Sequence, residues 1–382
     1  MRAKFTEAEF EQVGLYPGMK SVRAAIRPGM KPMEIPPAPR FNTPVSPKEN
    51  LKLLLSGKKP YWIPRYTVVG DSDISAFRPR ENGDNIVNHQ IFDGGEYFDY
   101  TGLGNVMLSS WFEIIWEYIP ECAGATVRPG SPKIADISKW EEVLKFPDLD
   151  SIDWEACGER NKAYLAGGKF NTLGIQCGLW ERLISLMDCD RAAIAMIDED
   201  QKEAVKRFFD KLTDFYIDYI GRIKKVCDID CVLIHEDWAH QNGPFFSPDT
   251  AREMLVPYMR RIADFCHGNN LFFEHHCCGS VKTLIEPMLE TGADFWCGQQ
   301  LPVNDNLALA KQYKDRHFAF GVPLPAIPEN ATAEEMERAA KEFVDEYGDC
   351  KLLFYNMVPN IPNEYFKILY KTYRLKFWDY EY

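Results

Sequence analysis

Glu274-His275-His276-Cys277-Cys278-Gly279 is a dense run of metal-binding side chains. Imidazole and thiolate are donors that zinc favours, and a catalytic zinc uses three protein ligands with one position left open. A second reactive run, His235-Glu236-Asp237, lies upstream, and Cys297 lies downstream. His235, His240, His275 and His276, together with Cys231, Cys277, Cys278 and Cys297, all fall within residues 231–297. Side chains two apart on a strand point to the same side. Glu274, His276 and Cys278 therefore share one face, and His275 and Cys277 share the other. Both faces carry a His-x-Cys pair, so spacing alone leaves the choice between them open.

These residues need strands to hold them. CVLIHED (231–237), LFFEHHCCG (271–279) and ADFWCGQ (293–299) are short apolar runs that end in polar residues. YWIPRYTVV (61–69), NTLGIQCG (171–178), HFAFGVP (317–323) and KLLFYNMVP (351–359) complete the set of expected strands. Helical segments alternate with them. SPKENLKLLLSG opens with Ser46 as cap and Pro47 at the first helical position, and Gly57 closes it. SPDTAREMLVPYMRRIADFCHG has Ser247 as cap and ends at Gly268, and Thr332 with Glu335 forms a capping box. Such alternation means a parallel sheet, and the number of units favours closure into a (β/α)₈ TIM barrel. The expected organisation is an N-terminal arm over residues 1–45, irregular and Pro-rich, then a single barrel domain over 46–382. Residues 70–135, rich in Gly, aromatics and turn signals, read as an insertion in the first units. No internal repeat, GxGxxG or phosphate-loop signature is present, which weakens a nucleotide-binding reading.

The chain has 382 residues and a formal net charge of −13. Nucleic acid and anionic membranes both need a basic face, so neither is an expected partner. No run of about 18 apolar residues is long enough for a membrane span. The opening residues are polar and Pro-rich, unlike a signal peptide, and the 11 cysteines do not form a secreted disulfide framework. The expectation is a cytoplasmic protein with reduced thiols. Barrel enzymes place their reactive groups at the C-terminal ends of strands, where the two runs above lie.

His276-x-Cys278-Gly279 resembles the H-x-C-G motif of the uroporphyrinogen decarboxylase superfamily, in its zinc-dependent, corrinoid-linked methyltransferase branch. IHEDWAHQNGPFFSPDTAREMLVPYMRRI, HHCCGSVKTLIEPMLETGADFW and PKENLKLLLSGKKPYWIP are similar to neighbouring stretches of that family. The resemblance spans roughly residues 45–375 and is strongest over 231–300. It selects the face that bears His276 and Cys278 as the zinc ligands. Two departures stand out. The decarboxylases' arginine-rich segment after the first strand is replaced by IPRYTVVGD, with Arg65 alone. The P-G-C stretch that supplies a third zinc ligand in thiol-specific methyltransferases is replaced by NMVPNIP. The third ligand is then expected to be Glu236, which ends the preceding strand, or Cys297, which ends the next.

The resemblance implies methyl transfer between a small methylated substrate and a corrinoid held by a separate protein. An oxygen-containing ligand set favours an aryl methyl ether as donor, in the manner of the first component of an O-demethylase. Zinc would polarise the ether oxygen and stabilise the departing phenolate. Glu236, Asp237 and His235 are the expected catalytic groups, with Asp237 or His235 relaying a proton or orienting a zinc ligand. Trp111, Trp116, Trp180, Trp238 and Trp296 are candidates for an aromatic pocket. Cys177 and Glu181 lie at a strand end without a motif of their own. The rival readings are a metal-free decarboxylase acting on a porphyrinogen, disfavoured by the missing arginines, and a non-catalytic corrinoid- or zinc-binding protein. A homodimer is compatible with the sequence.

Overall fold

The computed structural model describes residues 2–23, 33–67, 72–85, 91–94, 106–119, 124–297, 303–356 and 363–380. Eight parallel strands form the barrel: β1 (Arg65–Thr67), β2 (Ile74–Phe77), β3 (Phe170–Ile175), β4 (Cys231–His235), β5 (Phe272–His276), β6 (Phe295–Trp296), β7 (Ala319–Val322) and β8 (Leu352–Asn356). The ladder runs β1-β8-β7-β6-β5-β4-β3-β2. The seam between β1 and β2 is bridged by Asp73, whose N–H donates to the Arg65 carbonyl at 2.9 Å while its carboxylate accepts from Arg65 N at 2.8 Å. The α/β barrel expected from the alternation is therefore present.

Seven of these strands lie in the segments expected to hold them. β2 does not. It sits inside the stretch read as an insertion, and it pairs in register with β3, Thr172 opposite Ala76. Its residues ISAF are short and buried on both faces, so no alternation marks them. The inserted structure proper follows β2 and includes an antiparallel meander of Val106–Leu108, Ile115–Ile119 and Gly124–Val127.

Helix α1 (Pro47–Leu55) carries the expected Ser46 cap, which accepts from Glu49 N and is closed into a capping box by the Glu49 side chain, and Gly57 takes φ +73°. A left-handed turn of that kind suits glycine at a helix end. Leu51, Leu54 and Leu55 of α1 pack with Ile74, Phe170, Cys231, Phe295, Ala319 and Leu353, so α1 plugs the barrel at the strands' N-terminal end. The larger apolar core lies between the sheet and the outer helices, among them α2 (Leu179–Met187) and the 25-residue α3 (Lys202–Val226). The helix expected over 247–268 is broken in two, Pro248–Met254 and then α4 (Val256–Gly268), because Pro257 lacks the N–H needed to continue the ladder.

The arm is more ordered than its composition suggests. Gln12–Tyr16 pairs antiparallel with Ala38–Phe41, and Met19–Arg23 with Met33–Ile35. Glu9 anchors it, accepting from Arg374 at 2.7 and 2.9 Å and from the Tyr370 hydroxyl at 2.5 Å on α5 (Asn363–Lys376). Among the described residues no helix is long and apolar enough to cross a membrane.

Candidate metal centre at the barrel mouth

Pairing of β4 with β5 sets His235 opposite His276. Both chains continue past that pair, one to Asp237 and the other to Cys278. The ligand atoms of Asp237, His276 and Cys278 all lie within 4.8 Å of one another. His276 Nε2 is 3.4 Å from Cys278 Sγ and 3.8 Å from Asp237 Oδ1. Atoms bound at 2.0–2.3 Å to one tetrahedral ion sit about 3.3–3.8 Å apart, so this spacing suits zinc. Burial pushes the His276 pKa down to about 3, and a neutral imidazole is the form that binds metal.

The turn after Cys278 is fixed by Gly279 at φ +78°. A Cβ there would meet the Ala239 carbonyl carbon at 2.6 Å, so only glycine lets the two strand ends approach this closely. Ser280 N then donates to His240 O at 2.9 Å.

The opposite face of β5 turns towards the helices. The His275 ring lies 4.4 Å from that of Trp238, and Cys277 is buried with its Sγ accepting from Trp238 N at 3.2 Å. His276 and Cys278, and not His275 and Cys277, therefore look into the mouth.

Neither residue expected as third ligand joins the cluster. Glu236 is wholly buried, and its carboxylate caps α2, accepting from Leu179 N at 2.7 Å and Trp180 N at 2.9 Å, with Glu181 N at 3.3 Å. The bare N–H groups of a helix start attract a carboxylate, and Gly178 makes room for it, since a Cβ there would lie 2.6 Å from Glu236 Cδ. Burial still pushes the Glu236 pKa up to about 7, against those N–H donors. Cys297 sits deeper in the barrel against Glu274, and burial drives both the thiol and the carboxyl well up towards their protonated forms. The residue that converges is Asp237, which the sequence had offered only as a catalytic group. Glu236 was expected for its place at the strand end, but alternation from His235 turns it to the helix side and leaves Asp237 on the side of the mouth, where the chain turns with Trp238 N bonded to Glu236 O at 2.8 Å.

His235 stacks on His276 with ring centroids 4.1 Å apart. Its Nε2 accepts from the Arg78 guanidinium at 2.9 Å, and burial holds its pKa well below the usual histidine value. Glu181, at the start of α2, accepts from Asp237 N at 3.2 Å. Burial, then the charge of Asp237, pushes the Glu181 pKa well up. Arg78 was missed because β2 was missed; it follows Ile74 and Ala76 at alternate positions, on the face that looks into the barrel. Cys177 is buried on the helix side, where its carbonyl accepts from Tyr216.

The five candidate tryptophans belong to the core. Trp111, Trp116, Trp180, Trp238 and Trp296 are all buried in the core between sheet and helices. Trp111 packs edge-on to Phe215 and Tyr219, and Trp180 packs on Phe245 and Phe246. The MVPNIP part of the NMVPNIP stretch lies outside the described residues.

A model of the family described as Uroporphyrinogen decarboxylase (URO-D) matches residues 120–371, more than half of the chain. No significant match is found among curated proteins. Among solved structures, a methyltransferase from Methanosarcina mazei superimposes with a TM-score of 0.55 at 15% identity, covering 87% of this chain and 99% of its own. At that identity the likeness concerns the fold. A sugar phosphate isomerase/epimerase from Parabacteroides distasonis aligns far more loosely, with a TM-score of 0.33 at 10% identity over 61% of this chain and 81% of its own.

Proposed function

We propose, from the premise that the chain belongs to the uroporphyrinogen decarboxylase (URO-D) family, that it is a zinc-dependent methyltransferase. It moves a methyl group from a small methylated substrate, favoured to be an aryl methyl ether, to a corrinoid carried by a separate protein. The observation that carries this reading is the convergence of Asp237, His276 and Cys278 at the barrel mouth. Among the described residues three protein donors meet there and no fourth does, the count of a catalytic rather than a closed structural site. A fold shared with a Methanosarcina mazei methyltransferase is in keeping with it.

Asp237, His276 and Cys278 would hold the ion, which when bound supplies Lewis acidity to an oxygen or sulfur of the substrate. Asp237 is the oxygen donor that replaces the third thiolate of thiol-specific relatives. His235, packed on His276 and held by Arg78, keeps the ligand ring in place, as partners of metal-bound histidines do. The corrinoid, when bound on its partner protein, would supply the electron pair for the new bond to the methyl carbon. The carbon–oxygen bond breaks with its pair on the oxygen, and the phenolate takes its proton from solvent.

The test combines a methoxylated phenol, a reduced corrinoid protein and this chain, and follows the absorbance change of corrinoid methylation. Methylation that depends on Cys278 supports the reading. Inactivity with aryl ethers but activity with methylated thiols or amines reassigns the donor, and conversion of uroporphyrinogen without metal overturns the proposal in favour of a decarboxylase.

A further inference from the structure

We infer that Arg78 and Gln176 form an anion-binding subsite beside the Asp237–His276–Cys278 cluster, and that the methyl-bearing substrate is a carboxylate. This deepens the methyltransferase reading and rests on it. Arg78 follows Ile74 and Ala76 at alternate positions from β2, and Ile74 packs with the leucines of α1 inside the barrel. The guanidinium passes over β3 at Gly174, where a Cβ would meet Arg78 Nε at 2.8 Å. A side chain at that position would block the path. The guanidinium then reaches His235 Nε2 at 2.9 Å, and the His235 ring lies 4.1 Å from that of His276. A permanent cation is thus one imidazole away from the metal-binding set.

Gln176 supplies the second group. Thr172 pairs with Cys231 and Gly174 with Leu233, so Gln176 falls level with His235 on the adjoining strand. It is only 3% exposed, and neither its amide nitrogen nor its carbonyl oxygen has a hydrogen-bond partner among the described residues. A buried carboxamide with nothing to bond is costly to the fold. Its retention at the mouth is explained by a guest that takes the bond. A guanidinium edge matches a carboxylate in two parallel hydrogen bonds, and a carboxamide N–H adds a third. Glu181, Glu236 and Asp237 crowd the neighbouring strand and helix ends. A single guanidinium balances one negative charge, which favours a monoanionic carboxylate over a dianion such as phosphate.

Titration calorimetry on the purified full chain tests this with two matched pairs, 4-methoxybenzoate against 4-methoxybenzamide and methylthioacetate against methylthioacetamide. The acid of at least one pair should bind about tenfold more tightly than its amide. Arg78→Gln should erase that preference, Arg78→Lys should keep part of it, and Gln176→Leu should reduce it. Equal binding of acid and amide by the native protein, no binding of either acid, or a preference that survives in Arg78→Gln overturns the subsite. If Arg78→Gln does not fold, Gln176→Leu with the native acid–amide comparison decides the matter. A carboxylate preference in a protein that transfers no methyl group leaves the subsite standing and removes only the methyltransferase reading.

Discussion

Cys278 donates its backbone N–H to Oδ1 of Asp237 across 2.7 Å. The contact joins the ends of β4 and β5 beyond the last paired residues, His235 and His276. It ties the carboxylate to the same loop that presents the thiol, so the donor set is held before any ion arrives. A site whose ligands are fixed in advance loses little entropy on binding.

Removing a donor should therefore cost metal, and removing a neighbour should not. The native protein is expected to hold about one zinc per chain, as a site of this ligand set predicts. Cys278→Ser and Asp237→Ala should each lose most of it after dialysis, read by elemental analysis. Cys277→Ser and Glu236→Gln should keep it, because Cys277 faces the helices and Glu236 is occupied with α2. Zinc lost in Glu236→Gln but kept in Asp237→Ala would restore the ligand choice suggested by the sequence.

Glu236 has a different effect, on stability. Its carboxylate serves three successive N–H groups at the start of α2. Glu236→Ala strands those buried donors, and a loss of roughly 1–3 kcal/mol follows from leaving them without a partner. Urea unfolding of the metal-free protein should show it. A change below about 0.5 kcal/mol, the range of ordinary surface substitutions, would mean that the cap contributes little.

Much of this was legible in the chain itself, for physical reasons. Strands that end in chemistry, such as CVLIHED and LFFEHHCCG, are apolar runs long enough to mark themselves, and the capping residues Ser46, Ser247 and Thr332 each accept from the backbone as expected. What stayed hidden depended on contacts distant in sequence. β2 is four residues long and buried, so neither length nor alternation gives it away, and Arg78 was hidden with it. Glu236 and Asp237 are adjacent and chemically alike. Which one faces the mouth depends on a helix start more than fifty residues upstream. The Pro-rich arm carries no periodicity, yet pairing between Gln12–Tyr16 and Ala38–Phe41 orders it.

A pH dependence should arise at the other end of the barrel. His267 Nε2 lies 2.9 Å from Oδ2 of buried Asp294, whose other oxygen is 3.5 Å from His317. That hydrogen bond raises the His267 pKa, against partial burial and the nearby Arg260. A raised histidine pKa stabilises the fold fully below its unfolded value near 6.5, and the contribution disappears as pH rises through the folded value. His267 is 41% exposed, so solvent screening reduces the effect to a fraction of a kcal/mol. Native protein should lose slightly more stability between pH 6 and pH 8, a window of about two units around that value, than His267→Gln. Identical slopes for the two proteins would remove the ion pair as the cause.

Gly279→Ala separates the geometry of the centre from its chemistry, because every donor remains. The residue sits at φ +78°, and an added Cβ would meet Ala239 and His240 backbone atoms at 2.6–2.7 Å. Backbone cannot move aside as a side-chain tip can, so the two strand ends must separate. A non-glycine residue held in that region costs about 1–3 kcal/mol, and the separation pulls Cys278 away from Asp237. The variant should fold with lowered stability and bind zinc at least about tenfold more weakly, as loss of ligand positioning does. Competition with a chromogenic chelator measures the second effect and thermal unfolding the first. Native zinc affinity in a destabilised Gly279→Ala protein would show that the donors do not need this turn to converge.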